Sequence, residues 1–214
     1  MKNRLLKKTV SLILAAMLLF LIPSTAFAAS GDEGETVAKA YYFCYVKAPG
    51  HCWIYVENLT DEAMTVGLYE VEPYGGVSVG TFGHTRYDGW GIYYNVEAYS
   101  QTTYGMGKYV TLSEELTKEE LSTLSNAVKS YGNKWSWFKN CTAFAANVWN
   151  TVSDTKMSAQ LFPAFVRISL FFKPYSTNTP VMKPVDKENV LRQVGDGDGA
   201  YLKPVSKLSL REIV

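Results

Sequence analysis

Apolar and polar residues alternate along the first half of the chain, and in the second half they follow a helical spacing. Runs of two-residue alternation, typical of half-buried strands, lie between turns rich in Gly, Pro and Asn. This pattern predicts strands at residues 40–46, 51–57, 64–71, 77–82 and 90–99. Short consecutive strands joined by such turns favour an antiparallel meander over parallel crossovers.

Helical spacing begins only after residue 112. Thr117 and Glu120 form a capping box that predicts the start of a helix ending near residues 132–133. A second helix is predicted to open at Cys141, and a third over residues 163–172, with its proline in the first turn. The fold class is therefore predicted as α+β, with an antiparallel sheet or small barrel packed against the helix that carries Cys141.

The N-terminus has the pattern of a secretory signal peptide over residues 1–28. A basic start precedes an apolar stretch from Val10 to Ile22, and Ala26-Phe27-Ala28 supplies small residues at the cleavage site. Four of the 21 Lys and Arg residues lie in this segment, so its removal leaves a slight acidic excess. We expect a secreted, extracellular protein that can associate with the cell wall, with no stable membrane insertion after cleavage and no electrostatic attraction for nucleic acid.

The remaining chain is long enough for one domain with its own core. Residues 29–39 are small and acidic and are predicted to form a flexible lead-in, followed by one domain over residues 40–173. Residues 174–214 are predicted to be a loop-rich extension, with a short helical segment near 186–194. The 15 tyrosines and five tryptophans fit either a half-buried sheet or a surface that binds sugars and peptides by stacking.

Cys141 is the first candidate for chemistry because it lies in the first turn of a predicted helix. The free N–H groups and the positive end of the helix dipole at that position favour the reactive thiolate. The alternative is a core cysteine, since Cys141 is also in phase with the apolar side of the helix, and free cysteines are often buried.

A thiol nucleophile needs a base, and the chain has only two histidines, His51 and His84. His51 lies at the start of a predicted strand, opposite its apolar face, where the imidazole would be accessible. Cys44 and Cys52 are predicted either to pair, which would leave Cys141 as the odd thiol, or to remain reduced. A zinc site built from Cys44, His51, Cys52 and His84 has suitable ligand types, but the spacing fits no compact zinc motif. We therefore predict neither a metal nor a cofactor.

Three segments together resemble the circularly permuted papain-like thiol enzymes, which include the NlpC-type cell-wall peptidases and the lecithin-retinol acyltransferase group. The segments are residues 50–58 on an early strand, 91–99 on a later one and 140–145 at the start of a helix. In the permuted enzymes the histidine strand precedes the cysteine helix, as it does here, and the resemblance spans about residues 40–170. It implies Cys141 as nucleophile and His51 as base, with His84, Glu57 and Asn95 as candidates for the third, orienting residue.

These roles predict a secreted thiol hydrolase that cleaves or transfers an acyl or amide group. The resemblance implies a peptide or peptidoglycan substrate in the cell wall. The alternative is a non-catalytic, β-rich secreted module that binds cell-wall glycan or a protein partner through its aromatic residues. The sequence does not specify an oligomeric state.

Overall fold

The computed structural model describes residues 34–45, 50–83, 89–105, 109–159, 163–170, 173–177 and 180–206. The predicted signal peptide and His84 lie outside these residues. The described part of the chain falls in one compact unit, Gly34–Val214. None of its helices is both long enough and apolar enough to span a membrane.

A seven-stranded antiparallel sheet forms the centre of the described fold, in the order β7-β1-β2-β5-β6-β8-β9, and a separate hairpin pairs β3 with β4. The sheet is open, with β7 and β9 at its edges, so it is not the predicted alternative of a small barrel. The strands are β1 (Thr36–Tyr45), β2 (His51–Asn58), β3 (Met64–Val66), β4 (Tyr69–Val71), β5 (Gly76–Phe82), β6 (Gly91–Tyr94), β7 (Tyr109–Thr117), β8 (Leu191–Val194) and β9 (Tyr201–Pro204).

The predicted α+β class and the strands β2 and β5 are confirmed. The predicted strand over residues 64–71 is instead the β3–β4 hairpin, because Gly67 adopts a positive φ of 63° and turns the chain. Strand β1 begins at Thr36, inside the predicted flexible lead-in, and β7 lies in a segment for which no strand was predicted.

Four α-helices are described: α1 (Val96–Tyr104), α2 (Lys118–Ser130), α3 (Cys141–Trp149) and α4 (Pro163–Leu170). The capping box that predicted α2 is confirmed: the Thr117 hydroxyl accepts from the Glu120 backbone N–H, and the Glu120 carboxylate accepts from Thr117 N. Helix α1 contradicts the prediction of a strand over residues 90–99. The strand ends at Tyr94 because Asn95 takes a left-handed conformation, with φ 66°, and the helix starts immediately after it.

The two faces of the sheet bury different sets of side chains. On one face, the alternate β2 residues Cys52, Ile54 and Val56 pack in a core cluster with α2, α3 and α4. On the other face, Trp53 and Tyr55 form an aromatic cluster that also includes Ala98 of α1 and Met182. The sheet therefore lies between two layers, and the helix that begins at Cys141 belongs to one of them.

The C-terminal segment belongs to the same sheet. Strand β8 pairs with β6, and β9 pairs with β8, so residues predicted to be a loop-rich extension extend the sheet on one side. The helical segment predicted near 186–194 is one 3₁₀ turn, Lys187–Asn189, followed by β8.

Candidate active site

The candidate site lies at one end of the sheet, where β2 and β5 stop pairing. Their ladder runs from Glu57 opposite Gly76 to Ile54 opposite Val79. Beyond this point, residues 80–82 of β5 pair with β6, and the first three residues of β2 pair with β1. The backbone of β2 is therefore open toward β5 at His51 and Cys52.

Cys141 is the first residue of α3, as predicted, and Asn140 is its N-cap. The Asn140 side-chain oxygen accepts hydrogen bonds from Ala143 N at 3.0 Å and from the Thr142 hydroxyl at 2.6 Å. Its amide group donates to the backbone oxygen of Trp137 at 3.0 Å. The cap thus fixes the start of the helix and the turn before it, and Cys141 lies between them.

The structure brings Cys141 and His51, 90 positions apart in sequence, into hydrogen-bonding contact. Burial by itself would lower the pKa of His51, but the charge and hydrogen bond of Cys141, together with Glu97, raise it to about 10. Burial by itself would raise the pKa of Cys141, but the charge and hydrogen bond of His51 lower it below its ordinary value. The pair therefore favours a thiolate beside an imidazolium near neutral pH.

Two backbone N–H groups also hydrogen-bond to the Cys141 sulfur and lower its pKa further. One belongs to Thr142 in the first turn of α3, and the other to Cys52 on β2. The N–H of Cys52 is available because β2 has no ladder partner on its β5 side at this point. The end of the sheet and the start of the helix thus both stabilise negative charge on the sulfur.

Glu97 is the partner of His51 on the side away from the thiol. Its Oε1 lies 2.8 Å from His51 Nε2, and the Glu97 side chain is 1% exposed. Because Nε2 faces this carboxylate, Nδ1 is the ring nitrogen left to face Cys141. The other carboxylate oxygen accepts a hydrogen bond from the Ser78 hydroxyl at 2.9 Å, and that hydroxyl accepts from Ala98 N at 3.1 Å.

Gly80 lies directly beside this pair. A Cβ at position 80 would lie 2.1 Å from Glu97 Oε1 and 3.1 Å from His51 Nε2, so a side chain there would displace the carboxylate. Aromatic rings hold the imidazole on other sides: the Trp53 ring stacks on it with centroids 5.4 Å apart, and the Phe82 ring lies at 4.6 Å. The imidazole is therefore fixed in position and orientation. His51 is 5% exposed, so the prediction of an accessible imidazole is wrong: the rings packed around it bury it.

Two of the three residues predicted as candidates for the orienting role have other partners in the structure. Glu57 lies at the far end of β2 and pairs with Lys183 at 3.1 Å, so it does not orient His51. Asn95 does not contact His51 either. Its side chain accepts from Ser78 N at 3.3 Å and donates to the backbone oxygen of Asn189 at 3.1 Å, so it holds the strand segment that carries Ser78. His84 lies outside the described residues.

Glu97 was missed because its segment was interpreted as a strand. The usable signal was the pair Asn95 and Gly105, two residue types that tolerate positive φ and bracket a segment of helical length. A helix starting after Asn95 places Glu97 in its first turn, where a carboxylate is favoured.

Cys44 and Cys52 lie directly opposite each other on β1 and β2, and both are buried and not joined by a disulfide. Directly opposed residues in an antiparallel pair are close enough for a disulfide, so the predicted pairing is geometrically possible, but the two thiols are reduced here. Within the described part of the chain, no group of three or more His, Cys, Asp or Glu residues could hold a metal ion.

Comparisons with protein-family models, curated proteins and solved structures found no match to this chain.

Proposed function

We propose that the protein is a thiol hydrolase or acyltransferase in which Cys141 is the nucleophile, His51 the acid and base, and Glu97 the orienting residue. One observation carries the proposal: a partly exposed cysteine at a helix start is hydrogen-bonded to a buried histidine, which a buried carboxylate holds on its other side. Nucleophile, base and orienting group in series are the recurring arrangement of covalent catalysis.

The reaction follows from these positions. The Cys141 thiolate attacks a carbonyl carbon, and the tetrahedral intermediate collapses to a thioester as the His51 imidazolium gives its proton to the departing amine or alkoxide. The neutral imidazole then takes a proton from water or from an acceptor amine, which attacks the thioester and releases Cys141. The backbone N–H of Cys141 has no helical partner and is a donor for the developing oxyanion.

The order of elements, with the histidine strand before the cysteine helix, is the one that the resemblance to the permuted papain-like enzymes implies. An exported protein of this kind fits a cell-wall peptide as substrate, in which an amide bond of a stem peptide would be cleaved. This substrate rests on the resemblance and on the signal-peptide pattern.

The direct test is the reactivity of the thiol, which needs no knowledge of the substrate. Folded protein without residues 1–28 is treated with iodoacetamide at pH 7, and the alkylated residue is identified by mass spectrometry. We expect alkylation of Cys141 well above the rate of an ordinary thiol, and loss of this fast phase in Cys141→Ser. Alkylation of Cys141 only after denaturation would contradict the proposal and favour the non-catalytic binding module.

Hydrolysis is tested in a second step with a panel of stem peptides. Release of a new amine by the wild type, and no release by Cys141→Ser, is the expected result. A reactive thiol with transfer to an added amine, but without hydrolysis, would identify the protein as an acyltransferase.

A further inference from the structure

A tight turn with two exposed aromatic residues at its tip lies immediately before the nucleophile. Ser136 N donates to Lys139 O at 3.2 Å, and Lys139 N donates to the backbone oxygen and the hydroxyl of Ser136 at 3.1 and 3.0 Å. The two central residues are Trp137, 66% exposed, and Phe138, 80% exposed. Turn tips are normally occupied by Gly, Asn, Asp or Pro, so large aromatic residues there are unusual.

This turn is fixed relative to the reactive sulfur. The Asn140 amide binds the backbone oxygen of Trp137, and the same side chain caps the helix that begins with Cys141. The position of the two aromatic side chains is therefore coupled to that of the thiol through one residue.

Aromatic rings extend from the catalytic base to this turn. Phe82 contacts the His51 ring at 4.6 Å. The next residue, Gly83, is covered by Trp135, whose ring carbons lie 2.0 Å from the position of a Cβ there. Trp135 in turn lies 6.2 Å from Trp137 between ring centroids. We call Phe82, Trp135, Trp137 and Phe138 the aromatic rim.

We propose that the aromatic rim is a substrate subsite for a bulky apolar side chain, aromatic or branched aliphatic, next to the carbonyl that Cys141 attacks. This inference rests on the proposed thiol chemistry and not on the stem peptide as substrate, and it specifies the substrate class as a peptide with such a residue at the scissile bond. The rim starts at the base and ends at exposed rings, so a side chain bound along it would hold its carbonyl at the sulfur. Apolar pockets distinguish substrates that differ by one methylene about 10- to 200-fold, and a whole aromatic side chain offers more contact.

The experiment measures inactivation of the signal-cleaved protein by two thiol-directed compounds, the chloromethyl ketones of acetyl-phenylalanine and acetyl-alanine. In both, the Cys141 sulfur forms a bond to the methylene carbon as chloride leaves, so only the side chain differs. We expect the phenylalanine compound to react at least about 10-fold faster. Trp137→Ala and Phe138→Ala should each reduce this ratio toward one. Because both compounds react with the same thiol, any change in the reactivity of Cys141 itself cancels from the ratio.

Tyr201→Ala is the matched control, because it removes another exposed aromatic side chain, 57% exposed, from the edge strand β9. It should leave the ratio unchanged. Phe138 is the more exposed of the two turn residues, so Phe138→Ala provides the test if Trp137→Ala does not fold.

The outcomes separate the inference from the function on which it rests. A ratio near one in wild-type protein with fast iodoacetamide alkylation would overturn the subsite and leave the thiol enzyme intact. Slow iodoacetamide alkylation would overturn the enzyme and the subsite together. Protection of Cys141 by chitin oligosaccharides or by phospholipid vesicles, with a ratio near one, would assign the rim to sugar or lipid and overturn the peptide subsite.

Discussion

Cys52 and Cys141 are neighbouring thiols whose pKa values are shifted in opposite directions. Burial, and then contact with Cys44, raise the pKa of Cys52 well above its ordinary value. Burial acts in the same direction on Cys141, but the charge and hydrogen bond of His51 outweigh it and lower the pKa. Burial alone therefore does not determine whether the pKa of a cysteine is raised or lowered. The group that contacts the sulfur determines the direction.

The two cysteines also differ in their backbone environment. Cys52 lies within a strand, whereas Cys141 lies at the start of a helix, where the Thr142 N–H points at the sulfur. The Cys52 backbone N–H donates to Cys141, so Cys52 stabilises a thiolate at position 141 through its main chain. This support needs no thiol at position 52.

The largest effect is expected when the partner of Cys141 is removed. In His51→Ala, burial becomes the leading influence on Cys141, so its pKa should rise above the ordinary value. The thiolate fraction at pH 7 should then fall, with the alkylation rate decreasing about 100-fold. The time course of alkylation with iodoacetamide measures this rate. Cys52→Ala is the control, and its rate should stay close to that of the wild type.

The pH dependence of the same reaction shows how Cys141 and His51 affect each other's protonation. In wild-type protein the rate should fall only as the pH drops through the lowered pKa of Cys141, and it should not fall as the pH rises through about 10, where His51 loses its proton. Substrate turnover should decline at that upper limit, because the leaving group then has no acid. An alkylation rate in wild-type protein that first rises above pH 9 would contradict a thiolate–imidazolium pair.

A smaller loss is expected when the orienting carboxylate is neutralised. Glu97→Gln keeps the shape and one hydrogen bond of the side chain but removes the charge that favours the imidazolium, so we expect alkylation to slow about 10-fold. Glu57→Gln is the matched control on β2, since Glu57 pairs with Lys183 and should not affect Cys141. Equal effects of the two variants would remove Glu97 from the orienting role.

The proposed nucleophile and base could be predicted from the sequence because each depends on one local element. Cys141 follows a capping residue at the start of an amphipathic helix, and His51 begins a strand next to a glycine. Glu97 depends instead on the left-handed conformation of Asn95, whose side chain is bonded to Ser78 and to the backbone of Asn189. These contacts are distant in sequence, so local periodicity alone could not identify them.

The extent of the sheet was also only partly predictable from the sequence, for a similar reason. Strand β7 carries Ser113, Glu114 and Glu115 within its sequence, and it is held by a long ladder with β1 rather than by a strong alternating pattern. Strands β8 and β9 are four residues each, and they join the sheet only by pairing, β8 with β6 and β9 with β8. Pairing across the sheet, which sequence patterns specify weakly, determines these elements.

Gly80→Ala should lower the reactivity of Cys141 without removing any chemical group from the site. The added methyl would lie 2.1 Å from Glu97 Oε1, so the carboxylate must move away from His51, and we expect alkylation to slow about three- to five-fold. Gly199→Ala is the control, because nothing lies within 4 Å of a Cβ there and its φ is ordinary. If Gly80→Ala alkylates as fast as wild type, close packing of Glu97 against β5 is not required.

The smallest effect on reactivity is expected from loss of a helix cap. The cap of α3 should affect the thiol, whereas the cap of α2 should not. Asn140→Ala and Thr117→Ala each remove an N-cap side chain, so each should lower the free energy of unfolding by about 1 kcal/mol, measured by urea denaturation. Only Asn140→Ala should also slow alkylation of Cys141, by about two-fold, because it loosens the turn and the first N–H groups beside the sulfur.

Asn140→Ser restores a capping oxygen and should recover most of the stability, but it cannot bind the Trp137 carbonyl as the amide does. Its preference for the phenylalanine chloromethyl ketone should therefore stay below that of the wild type. Equal alkylation rates in Asn140→Ala and Thr117→Ala would show that the cap stabilises α3 without tuning its thiol.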